Sequence, residues 1–196
     1  MALSRREKMR QELGKAVKGS QERKESGGKY KSIFKDGLEL TFLKLDERQH
    51  ILDIIPYFAG KNDPHVEEGQ STYVLDLWVH RGVGINEDNY VCLFKNYDLP
   101  CPICEHQAEL MRTEDYDETI VDGLNPKRRV IYNVICYDTA EQEEKGVQIF
   151  EVAHFFMENN IIPISSDSRT GEPIKFADPD EGKSIAFQTK KSSFPD

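Results

Sequence analysis

The sequence has no run approaching the ~18 consecutive apolar residues that a membrane-spanning helix needs. Its start, MALSRREKMRQ, lacks the apolar middle of a secretory signal. A cytoplasmic protein with no membrane partner is therefore expected. Cysteine is scarce: four thiols in 196 residues are too few for a disulfide scaffold, and a reducing compartment favours a metal site or buried thiols. Enzyme signatures are missing as well. There is no Gly-x-Ser-x-Gly elbow and no phosphate-binding loop, and His50, His65 and His154 lie scattered without partner spacing. No internal repeat is present, and the length fits one domain with polar appendages.

Charge is unevenly spread. The net charge of −9 argues against a nucleic-acid binder until it is divided along the chain. Residues 1–31, with Arg5, Arg6, Lys8 and Arg10 among them, carry ten basic and four acidic side chains, net +6, and the remainder carries −15. That polarity predicts a basic flexible arm, 1–32, which seeks phosphate or an acidic surface, on an acidic body, 33–196. Glycine, serine and charge from Gly19 to Gly28 read as the linker.

Beyond the arm, short runs rich in β-branched and aromatic residues recur at hairpin-like intervals. They are GLELTFLKL (37–45), HILDIIPYF (50–58), STYVLDLWVH (71–80), NYVCLFKNY (89–97), RRVIYNVICYD (128–138), GVQIFEV (146–152) and KSIAFQTKK (183–191). Only 104–113 and 153–160 invite helices, the second ending before Pro163. The expected fold is mostly β with short helices, arranged as a small barrel or sandwich.

Cys101 and Cys104, in PCPICEH, form a C-x2-C turn that sets two thiolates on one tetrahedral ion. Upstream, His80 closes one strand and Cys92 lies in the next, giving H-x11-C-x8-C-x2-C. A hairpin can bring these two together, with the C-x2-C turn covering them. A Cys3His set suits one structural zinc with no open position. His106 and Cys136 are rival fourth ligands, one close in sequence and the other the last remaining thiol.

Alternation in 72–80 puts Tyr73, Leu75, Leu77 and Val79 on the natural core face and Val74, Asp76, Trp78 and His80 on the other. Lys127, Arg128 and Arg129 lead directly into Tyr132 and Tyr137. Cations that meet phosphates, followed by flat rings that stack on unpaired bases, are what a groove tracking a single strand requires. Trp78, aimed away from that core face, either covers the zinc hairpin or offers a flat surface to a base, and Tyr90, Tyr97, Arg81 and Lys44 are further candidates for such a groove, as are Phe94, Lys95 and Arg48.

These features, together with PYFAGKNDP and EEKGVQIFEVAHFFMEN, give the chain from about Phe34 to Lys191 a resemblance to the helix-destabilising single-stranded DNA-binding proteins of T-even bacteriophages and their relatives. The resemblance implies an OB-fold barrel with a zinc subdomain, about 64–124, folded over it and DNA in the cleft between. It implies His80, Cys92, Cys101 and Cys104 as zinc ligands, and Lys127, Arg128, Arg129 and Tyr132 in the DNA-contacting stretch. It also implies cooperative binding through a basic arm docked on the neighbouring copy, replication proteins as partners, and the bacterial host cytoplasm as location. The arm here lacks the family's compact Lys-Arg-Lys-Ser-Thr cluster, and the sequence stops at Phe194-Pro195-Asp196 without an acidic tail.

The function expected is sequence-independent single-stranded DNA binding in phage replication, recombination and repair, without catalysis. A zinc deaminase would need H-x-E, and here Arg81 and Gly82 follow His80. The alternative is a zinc-ribbon protein-interaction module such as a transcription accessory factor.

Overall fold

The structure, a computed structural model, describes residues 33–34, 38–113 and 117–190. The expected arm, with Arg5, Arg6, Lys8 and Arg10, lies outside the described residues. Eight strands form among them: β1 (Gln49–Ile55), β2 (Tyr57–Phe58), β3 (Ser71–Thr72), β4 (Leu75–Val83), β5 (Asp88–Val91), β6 (Lys127–Cys136), β7 (Gln148–Ala153) and β8 (Ile185–Gln188). β2 and β3 make a small hairpin, and the other six build one antiparallel sheet in the order β5-β4-β6-β1-β8, with β7 also on β6.

β6 organises the sheet. Its first half, Lys127–Ile131, pairs with β4, and Asn133–Cys136 pairs with β1, while Arg129–Val134 pairs with β7. The sheet is therefore open, since no pairing joins β5 to β8 among the described residues. The closed barrel that was expected is not found.

Period-two alternation sorts side chains onto two faces. On one, Leu52, Ile54, Val130, Tyr132, Val134, Cys136 and Phe150 form the main core with Leu43, Met157 and Ile161. The other carries a smaller cluster of Leu77, Val79 and Ile131, against which Phe34 and Ile149 pack. This corrects the expected core face of 72–80: Leu77 and Val79 serve the lesser cluster, while Tyr73 packs on the main core. Asp76 pairs with Val130 and Trp78 with Arg128, so Trp78 stands on the main-core side of the sheet.

The helices are α1 (Leu93–Tyr97), α2 (Pro102–Leu110), α3 (Glu118–Gly123), α4 (Ala140–Glu144) and α5 (Glu158–Ile164), with a 3-10 turn at His154–Phe156. Three expectations fail locally. Of the expected strand 37–45, the described residues 38–45 make only a bridge, Phe42 to Ile149. The run 89–97 divides into β5 and α1, because Cys92 caps the helix by accepting the Lys95 N–H. Helix α5 continues through Pro163, which sits in its last turn and so forfeits a single backbone bond. Short helices α3 and α4 start at side-chain caps, Asp117 and Thr139.

His50 ties the β1–β8 edge together. Fully buried, it sets Nδ1 2.5 Å from Asp138 Oδ2 and Nε2 2.9 Å from the Asp46 carbonyl and 3.0 Å from Thr189 Oγ1. The second Asp138 oxygen accepts the Ile51 N–H.

Candidate metal centre and nucleic-acid face

His80 comes from β4, Cys92 caps α1, Cys101 caps α2, and Cys104 lies one turn into α2, where Pro102 at the first position fixes the entry. The four ligand atoms all lie within 4.8 Å of one another. His80 Nε2 is 3.4 Å from Cys101 Sγ and 3.5 Å from Cys104 Sγ, and Cys92 and Cys104 sulfurs are 3.6 Å apart. Tetrahedral bonds of about 2.3 Å hold ligand atoms roughly 3.8 Å apart. The cluster can thus hold a metal ion with little adjustment. The rivals fall away: His106 is exposed on α2 beside Glu109, and Cys136 is sealed in the main core.

The surroundings favour ligation. The Leu124 carbonyl lies 2.7 Å from His80 Nδ1 and accepts its proton, which leaves Nε2 free to ligate. That carbonyl is presented at the end of α3, and Gln107 secures α3 to α2 by donating to the Val121 carbonyl and Asn125 Oδ1. Burial raises the Cys101 thiol, but the backbone N–H groups of Cys104, Leu93 and Ile103 and the His80 side chain outweigh it and bring the value to about 6. Burial, then the neighbouring Cys92 and Cys101, push Cys104 up to about 12.

Asn96 links this cluster to Trp78. Its buried amide accepts the Trp78 N–H at 3.0 Å and donates to the carbonyls of Trp78 at 2.8 Å and Cys92 at 2.7 Å. One side chain thus meets three backbone groups, beside the backbone bond from the Cys92 N–H to the Trp78 carbonyl at 2.8 Å.

From there an aromatic and basic row crosses the sheet. Lys95 Nζ lies 6.0 Å from the Phe94 ring centre and 5.7 Å from that of Trp78, within cation–π range. Trp78 stands opposite Arg128. The Arg128 guanidinium is held by Asp76 through Nε at 2.9 Å and Nη2 at 2.5 Å, and that bond raises its already high pKa. His154 Nε2 lies 3.9 Å from the same carboxylate. The order Phe94, Lys95, Trp78, Arg128, His154 therefore runs from α1 over β4 and β6 to the 3-10 turn.

The other expected DNA contacts scatter. Alternation sends Arg128 to one face and Lys127 and Arg129 to the other, so the basic triplet does not act as one cluster. Arg129 bonds Glu151 at 3.0 Å, and burial lowers its pKa. Tyr132 is fully buried with its hydroxyl donating to Glu158 at 2.6 Å. It is a core residue, and base stacking by Tyr132 is ruled out in this arrangement. Tyr137 reaches Asp53 on the opposite face, and Tyr97 donates to the Asn62 carbonyl. Tyr90 and Lys44 are exposed and Arg81 is half-buried.

Sequence reasoning missed Asn96 and the place of His154. Asn96 looked like one more polar residue of a strand, and His154 gains meaning only from Asp76, far away in the chain. The chain matches no protein-family model, and no curated protein aligns with it significantly.

Proposed function

We propose that this chain is a zinc-stabilised protein that binds single-stranded DNA without regard to sequence and coats it cooperatively, as the T-even phage proteins it resembles do. The observation that carries the reading is the alternating row of rings and cations seated directly on the metal cluster. Lysine and arginine release counterions from phosphates, and Phe94 and Trp78 offer faces to unpaired bases. Zinc suits three thiolates and one imidazole at near-tetrahedral spacing with no position left open, so its part is to hold α1 and α2 against β4. The long shared strand β6 supports an OB-type reading of the sheet. Peripheral acidity then discourages nonspecific attachment elsewhere on the surface. Replication, recombination and repair in the host cytoplasm, with replication proteins as partners, complete the proposal, and no catalytic step is required.

The test is a fluorescence titration of zinc-loaded protein with oligo(dT) at several salt concentrations, with a duplex of equal length as competitor. Salt-sensitive quenching of Trp78 and a strong preference for the single strand are expected. Absence of binding at low salt, with zinc content verified, overturns the reading. A second reading, a protein-interaction module, draws on an open apolar cavity of about 660 Å³ lined by Phe58, Ile162, Ile174 and Phe176. It predicts emission indifferent to oligonucleotide.

A further inference from the structure

The 3-10 turn that follows β7 is anchored on both sides and yet turns two large rings outward. Ahead of it, Val152 packs on the main core, and behind it Met157 is buried there. Glu158 is pinned by the hydroxyls of Tyr132 at 2.6 Å and Tyr73 at 3.1 Å. The turn is further tied by Asn160, whose Nδ2 donates to the carbonyls of Phe155 at 3.4 Å and Phe156 at 3.0 Å. Between these anchors Phe155 is 69% exposed and Phe156 67% exposed, the rings meeting edge to face at 5.6 Å. A turn wanted only for the fold gains nothing from two exposed phenylalanines, and paired exposed apolar residues mark contact surfaces.

Their position in the fold favours one occupant. His154, immediately before them, sits 3.9 Å from the carboxylate that holds Arg128, so the pair extends the aromatic and basic row on the same side of the sheet. We infer that Phe155 and Phe156 form a second base-stacking platform, separated from Trp78 by the Arg128 guanidinium and the His154 ring. An unpaired, flexible strand then rests bases on rings at both ends of the row while a phosphate meets Arg128 between them. Because the turn is already fixed by Asn160 and Glu158, the platform is pre-organised and little ordering is left for binding. The inference rests on the single-strand reading above.

Stacking removes no counterions, and this separates the platform from the cations experimentally. In the full chain, the double variant Phe155→Ala/Phe156→Ala should bind a short oligo(dT) roughly 5- to 150-fold more weakly per base that loses its platform, with the logarithmic salt slope unchanged. Phe155→Tyr/Phe156→Tyr, which keeps the rings, should restore most of the affinity. Both positions are exposed, and matching circular dichroism melts will confirm that the variants fold. If wild type binds and the double-alanine variant binds equally, the platform is refuted while the single-strand reading stands. If neither binds, both fail together. Equal binding to short oligonucleotides with weaker self-association would assign the pair to a protein contact and likewise overturn the inference.

Discussion

Asp76 occupies the guanidinium edge of Arg128 that a phosphate would use. A bidentate pair of this kind, half open to water, is worth little to folding but decides what the arginine can offer an incoming anion. Asp76→Asn should leave the sheet pairing intact and free that edge. Affinity for oligo(dT) should rise roughly threefold at moderate salt, and the log–log salt slope should steepen by up to about 0.7 as the phosphate contact that Arg128 shares with Asp76 becomes a full one. Weaker binding by the variant would mean that Asp76 positions Arg128 instead of competing for it. Neither role was visible in the sequence. Asp76 and Arg128 are 52 residues apart, and only the register of β4 on β6 makes them neighbours. Tyr132 teaches the same lesson from the other side. Its place after three basic residues suggested a surface ring, but alternation in a strand flanked on both edges put it into the main core.

Among the elements, strands were the most legible, because β1, β6, β7 and β8 each show apolar alternation or a continuous apolar run that survives whatever packs on them. Helix α1 was hidden for a physical reason. Phe94 and Tyr97 favour strands by composition, and the cap supplied by Cys92 overrides that preference locally. Cys101 and Cys104 could be read from their spacing, since C-x2-C geometry is set by one turn, while the fourth ligand had rivals that only the resemblance and then the fold set aside, and the amide that braces the cluster had no spacing to announce it. The β1–β8 edge yields a prediction at this scale. Burial works against the charged form of Asp138, yet bonds from His50 and the Ile51 N–H overcome it and hold the carboxyl below the ordinary range. A carboxyl so depressed stabilises the fold above its unfolded pKa, about 3.9, and the contribution disappears as pH falls through the folded value. Denaturant unfolding should therefore show Asp138→Asn less stable than wild type between pH 7 and 5. The margin should close below about pH 4, and one that persists into acid would place the stabilisation elsewhere.

The whole molecule divides its charge, +6 in residues 1–31 against −15 in the remainder. If the arm joins neighbouring copies, deleting 1–31 should flatten the sigmoidal binding curve on a long single strand. On an oligonucleotide that holds one copy, affinity should change little. Equal losses on both lengths would make the arm a direct DNA contact. The Asn96 bridge has a consequence of another kind. Through it, and through the direct bond from the Cys92 N–H to the Trp78 carbonyl, the backbone on which Trp78 rides and the backbone that presents Cys92 share one set of hydrogen bonds, so on the proposed reading a strand seated on the tryptophan and an ion held by the cluster would be coupled. Binding free energies around such a cycle must balance, and whatever factor the ion adds to the grip on the strand, the strand adds to the grip on the ion. If the proposed coating and metal both hold, a filament would be a reservoir that keeps its metal in the presence of chelators, and a copy that has fallen off the strand would be the one to lose it.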